Sequence, residues 1–211
     1  VIDVNAICLV IDGLNAGYLG CYGNASINTP ELDRLASESF LLDQAFLDSP
    51  TMAGHYRACW SEVHAREPQE LAAVSLPERL ARAGIATTLF TDASPAESPP
   101  ISGFVEQIHL DLSSPTEPAD DADGTQLAAF FAAAIDWLSS PREPFCLWLD
   151  LRSLATCWDA PLEYRNRYAD EDEPLPPTLV EVPRLALPPD YDPDELLGYA
   201  QAYSGQISLL D

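Results

Sequence analysis

Lysine is missing from this 211-residue chain, and all ten basic side chains are Arg. Against them stand 34 Asp and Glu, for a formal net charge of −24. A surface of that sign repels phosphate backbones and anionic headgroups, so neither nucleic acid nor a membrane surface is an expected partner. It also slows the approach of an anionic substrate unless a local cation or metal offsets the field. Long apolar runs are lacking too: none approaches the ~20 residues of a membrane span. No charged-then-apolar leader opens the chain. The first residue is Val rather than Met, which leaves room for a removed N-terminal segment, so the compartment stays open. Cys-x-x-Cys and Cys/His spacings are absent, which argues against zinc. Of the five cysteines, Cys8 and Cys146 lie inside apolar runs, where a thiol packs as a small hydrophobe.

What is present is globular in composition. Hydrophobic residues make up 47% and charged residues 21%, too apolar for a disordered chain. The length suits one sizeable domain over residues 1–211. The run Ala6-Ile7-Cys8-Leu9-Val10-Ile11 is continuously apolar and stops at Asp12-Gly13, as a central strand covered on both faces does. Residues 40–46, 85–90, 104–110 and 145–151 also read as strands.

Helices are expected to start at Thr29-Pro30 and at the capping box Ser75-Leu76-Pro77-Glu78, the second stopped by Gly84. Leu127, Phe130, Phe131, Ala134 and Leu138 follow helical spacing, as do Leu196, Tyr199, Ala200, Tyr203, Ile207 and Leu210. Between them, about 159–194 is rich in Pro and acid and reads as a surface excursion. Strands alternating with helices, and apolar throughout, predict an α/β fold: a mostly parallel sheet with helices on both faces. Sites in such folds lie beyond the carboxyl ends of the strands, which here means Asp12, Thr91-Asp92 and Asp150 to Arg152.

Three stretches carry a family resemblance. Residues 5–12 lead into Leu19-Gly20-Cys21-Tyr22-Gly23-Asn24. Asn28-Thr29-Pro30-Glu31-Leu32-Asp33-Arg34-Leu35-Ala36 follows. Trp158-Asp159-Ala160-Pro161, with Glu163-Tyr164 and Arg165 to Tyr168, comes third. Together, and in this order, they resemble the sulfatase family of the alkaline-phosphatase-like superfamily. The resemblance implies that fold, incomplete at the C-terminus. It also implies ester hydrolysis at a divalent cation, Ca or Mg, held by carboxylates beside Lys, Arg and His.

Matched position by position, the resemblance makes Asp12 the first metal carboxylate, but puts Gly13 where a second Asp or a Thr is usual. Thr51 falls at or beside the nucleophile, with His55 in the place of an Arg, while the Pro and Ser of that motif have become Ala53 and Gly54. The family's Gly-Lys-x-His signature is answered by Thr91-Asp92-Ala93-Ser94, and its later His by Ala155. Its Asp-His metal pair belongs on a strand after the last helix, which here ends the chain at Asp211. Read this way, the pocket has no cationic side chain and no cage of carboxylates, so no cofactor is expected in this chain itself.

Each candidate also has a structural reading. Asp12 is either a metal ligand or a carboxylate capping the loop after a buried strand. Thr51 is either a nucleophile, activated by a metal, or the N-cap of a helix following Pro50. His55 and His64 read as surface or capping histidines, and Asp170-Glu171-Asp172-Glu173 as a solvated loop. The leading expectation is a sulfatase-like protein without catalysis of its own, a pseudoenzyme or a truncated piece. One alternative is a metal-dependent sulfuric, phosphoric or phosphonic ester hydrolase using Thr51, with metal ligands outside this chain. The other is an interaction module, associating with itself or with a C-terminal partner segment through an uncovered sheet edge.

Overall fold

Four segments pair into one parallel sheet in the computed structural model, which describes residues 4–61, 64, 74–93, 103–112 and 114–211. They are β1 (Ala6–Ile11), β2 (Ala86–Thr91), β3 (Glu106–His109) and β4 (Phe145–Leu151), in the order β1-β4-β2-β3. Among the described residues six α-helices accompany them: α1 (Pro30–Ser37), α2 (Met52–Ser61), α3 (Leu76–Arg82), α4 (Gln126–Leu138), α5 (Leu162–Asn166) and α6 (Asp194–Leu210). Among the described residues no helix is long and apolar enough to cross a membrane.

The chain divides into two compact units. The first comprises Val1–Asp12, Gln44–Asp111 and Ala132–Arg152 and holds the sheet. On one face Tyr56 and Trp60 of α2 stack at 4.3 Å between ring centroids, and Trp148 of β4 meets both edge-on. Leu89 completes this cluster, with Cys8 and Val10 packed against it. On the other face Trp137 of α4 meets Phe145 edge-on at 5.4 Å and donates from Nε1 to Glu106 at 3.2 Å. Helices therefore cover both faces of the sheet. The Ser75 hydroxyl accepts from the Glu78 amide at 3.3 Å, and Gly84, at φ +86°, turns the chain out of α3 into β2.

Two expectations for this sheet need correction. The β1 sequence reads as a central strand, yet among the described residues β1 lies at the edge of the sheet, with Ile7 53% and Leu9 43% exposed. Residues 40–46, read as a strand, form bends and coil, with Phe40 89% and Phe46 91% exposed. The cause is the same in both places. A strand needs a neighbour for its backbone donors and acceptors, and no described strand pairs with these segments on the open side.

The second unit comprises Gly13–Asp43, Leu112–Phe131 and Ser153–Asp211. Here the residues of two of the quoted motifs clasp each other. Thr29, fully buried, accepts from the Gly20 amide at 3.0 Å, and Asp33 accepts from the Cys21 amide at 2.6 Å. A Cβ at Gly20 would stand 2.2 Å from Asp33 Oδ2, so only glycine lets that carboxylate approach. Thr29 does not cap α1 with its side chain. The Asp211 carboxylate does so, accepting from Leu32 N at 2.7 Å and Glu31 N at 3.2 Å, where negative charge suits the helix dipole. Likewise, buried Asp159 accepts from Gln126 N at 2.7 Å at the start of α4.

The Pro- and acid-rich stretch is anchored at its beginning by Arg165, which is 0% exposed. Its guanidinium donates to the carbonyls of Trp158, Ala160, Pro177 and Leu179. Burial pulls the Arg165 pKa down, and neighbouring Asp159 opposes that shift. Four carbonyls from two chain segments converge on one planar fork, a pattern that a lysine ammonium does not reproduce. Replacing Arg165 with Met leaves those carbonyls without donors and is expected to cost about 3 kcal/mol. Urea unfolding of Arg165→Met and Arg165→Lys measures this. A loss under ~0.5 kcal/mol in both would contradict the staple.

Candidate functional site

Parallel register decides which side chains meet beyond the sheet. Val10 pairs with Asp150 and Asp150 with Thr91. The ladder runs one step further, with Asp12 N donating to Leu151 O at 2.9 Å. Side chains alternate between faces along a strand, so Asp12 and Arg152 fall on the same face as Asp150. The Arg152 guanidinium lies between the two carboxylates. Nη1 stands 2.8 Å from Asp12 Oδ2, and Nε stands 3.3 Å from Asp150 Oδ1. The Arg152 amide donates to Asp92 Oδ1 at 2.6 Å.

Asp150 is 2% exposed and is served from two further sides. Thr91 donates to its Oδ2 at 2.8 Å, and the Tyr56 hydroxyl donates to its Oδ1. Burial, and then the Asp150 charge, push the Tyr56 pKa well above its ordinary value. The hydroxyl therefore stays protonated and keeps donating. The Arg152 guanidinium also lies 6.0 Å from the centre of the Tyr56 ring. This corner overturns the expectation that the pocket carries no cation: Arg152 is that cation. Alternation along Asp150-Leu151-Arg152 was the available signal, since it puts 150 and 152 on one face.

These residues do not fit the divalent ion that the family resemblance implies. Calcium and magnesium want six or more oxygens turned toward them. Here the Asp150 oxygens face Tyr56, Thr91 and Arg152, and Asp12 Oδ2 faces Arg152. Among the described residues, no group of three or more His, Cys, Asp or Glu is arranged to hold a metal.

Thr51 sits at the start of α2, as the capping alternative has it. Its hydroxyl accepts from the Gly54 amide at 3.3 Å and lies 3.1 Å from the Ser49 hydroxyl. Ser49 also fills the space beside Gly54, where a Cβ would come within 2.1 Å of Ser49 Oγ. The lack of a side chain at Gly54 thus admits Ser49 to the helix start. His55 faces along the helix to Cys59, with its ring nitrogens 3.6 and 3.7 Å from Sγ. Burial pushes that thiol's pKa up, away from the thiolate a nucleophile needs. His64 lies 3.7 Å from Asp48, and Ser94 lies outside the described residues.

In the second unit, Gly13 and Ala155, two positions that the resemblance marks as departures, touch each other. Gly13 has φ +86°, and a Cβ built there would lie 2.9 Å from Ala155 Cα and 3.0 Å from Ala155 N. Tyr203 fixes the loop, donating to Gly13 O at 2.6 Å and accepting from Asn15 N at 2.8 Å. An aspartate at 13 is therefore strained by backbone shape and crowded by Ala155. This unit also has a surface hollow lined by Glu117, Asp120 and Glu163, whose sign repels an anionic ester. Gly13→Asp is expected to lower stability by about 2 kcal/mol without creating calcium affinity. Urea unfolding and calorimetric calcium titration of this variant check both, and a stable, calcium-binding product would refute the steric account.

The sulfatase family profile matches residues 4–207. Local sequence matches include human arylsulfatase H, 52% identical over 40 residues, or 19% of this chain and 7% of that protein. Mouse steryl-sulfatase is 46% identical over 46 residues, 22% of this chain and 7% of that protein. Among solved structures, the phosphonate monoester hydrolase of Agrobacterium radiobacter superposes with a TM-score of 0.73 at 16% identity, covering 98% of this chain and 56% of that one. The Zn complex of the C-terminal periplasmic domain of EcEptC from Escherichia coli gives 0.69 at 13% identity, with 98% and 56% covered. The chain thus spans about half of those structures and a small part of the curated relatives. On the profile match over nearly its whole length, the chain belongs to the sulfatase family.

Proposed function

We propose that this chain is a part of a sulfatase-like protein that turns over no ester by itself. The observation that carries this reading is the state of Thr51. Among the described residues, its hydroxyl is engaged with Ser49 and the Gly54 amide, and neither is a base that takes up its proton. Sulfate or phosphate ester cleavage needs an activated nucleophile and charge to receive the leaving oxygen. Arg152, the cation of the carboxylate corner, is already committed to Asp12 and Asp150.

A second reading is favoured by the likeness to a phosphonate monoester hydrolase, of which this chain covers 56%. On that reading Thr51 attacks a sulfuric, phosphoric or phosphonic ester, and metal ligands come from a C-terminal part. The gene sequence following Asp211 tests it, and the lack of an Asp-His-Gly-type motif there would count against it. A third reading, an interaction module, is favoured by exposed Ile7 and Leu9 on the edge strand β1. A second copy of the chain would pair along that edge. On that reading the solution mass by light scattering rises with concentration and falls back in Leu9→Lys; a strict monomer would exclude self-pairing.

For the leading reading, aryl sulfate and aryl phosphate with added Mg²⁺, Ca²⁺ or Mn²⁺ are expected to give no turnover above buffer. Thr51→Ala is expected to cost about 1 kcal/mol of stability through the lost cap. Turnover by the parent chain that vanishes in Thr51→Ala would defeat the proposal.

A further inference from the structure

We infer that Arg152 does the electrostatic work at Asp12 that a divalent cation would otherwise do: its guanidinium is a permanent, covalently attached counter-ion. Position, charge and surroundings support this. The guanidinium reaches Asp12 at 2.8 Å and Asp150 at 3.3 Å, so it stands between the carboxylates that face the end of the sheet. Its side chain is 15% exposed, against 32% for Asp12 and 2% for Asp150, so it is drawn in from water and weakly screened toward Asp150. The backbone holds it there as well. Arg152 directly follows β4, and its amide is tied to Asp92 at 2.6 Å.

An incoming ion would have to displace this guanidinium, which is tethered and always protonated. It would also meet Asp150 oxygens already accepting from Tyr56 and Thr91. A buried charge left without its partner is costly, so removal of Arg152 exposes the corner's need for a cation. The inference is separate from the question of turnover. It concerns what keeps this corner folded, and it is read by melting temperature rather than by activity.

The test is thermal unfolding of the full chain as wild type, Arg152→Met, Asp12→Asn and the double variant, each in EDTA and in millimolar calcium or magnesium. Wild type is expected to melt at the same temperature in all three conditions. Arg152→Met is expected to melt about 5 °C lower in EDTA, to recover part of that with added cation, and to recover it without cation when combined with Asp12→Asn. A wild-type melting temperature that climbs and saturates with cation concentration would overturn the inference. So would strictly additive effects of the two substitutions. If Arg152→Met does not fold, wild type and Arg152→Lys, which keeps the charge, still decide the matter: both must be indifferent to the ions.

Discussion

A single guanidinium governs the chemistry available at the end of this sheet. Arg152 bridges Asp12 and Asp150, and the β1–β4 register puts these groups on one face. Around it, Tyr56 and Thr91 satisfy Asp150. Tyr56 belongs in turn to the aromatic cluster on the α2 face of the sheet. The corner is therefore anchored in the packing, with one guanidinium set against both carboxylates. A metal-dependent ester hydrolase works the other way, with a cation left accessible to receive the charge that grows on the leaving oxygen.

Where this chain resembles its family most specifically, the shared residues build scaffold. Thr29 and Asp33 hold the Gly20-Cys21 turn by its backbone amides, and Gly20 lets the Asp33 carboxylate in. Arg165 gathers four carbonyls from the segment after Trp158. These roles depend on shape and hydrogen bonding, not on turnover. A chain can keep them while Gly13 and Ala155 stand back to back, at positions that the resemblance matches to an Asp or Thr and to a His. The contact between those two positions ties the departures together. With Ala155 backbone 2.9 Å from any Cβ at 13, restoring one alone does not restore a site.

Much of the fold was legible from local pattern. The apolar runs at 6–11 and 145–151 form strands with those bounds, and Ser75 and Gly84 bracket α3 as their chemistry dictates. Thr51 as a cap was legible for the same reason. What the chain did not disclose is set by groups distant in sequence. The all-apolar β1 reads as interior because apolarity records what a strand is able to bury, whereas its edge position depends on the neighbours it has. Among the described residues nothing pairs with 40–46, so their strand pattern goes unused. Asp211 caps α1 across the length of the chain, and Arg152 meets Asp12 only through the register of two strands.

The central claim is that the place beside Asp12 is filled by Arg152. The most direct measurement is a crystal structure of this chain grown in calcium, with anomalous density inspected beside Asp12 Oδ2. The account predicts guanidinium density there, bridging to Asp150, and no ion peak. An ordered calcium bound to Asp12, with the Arg152 side chain swung away, would contradict it.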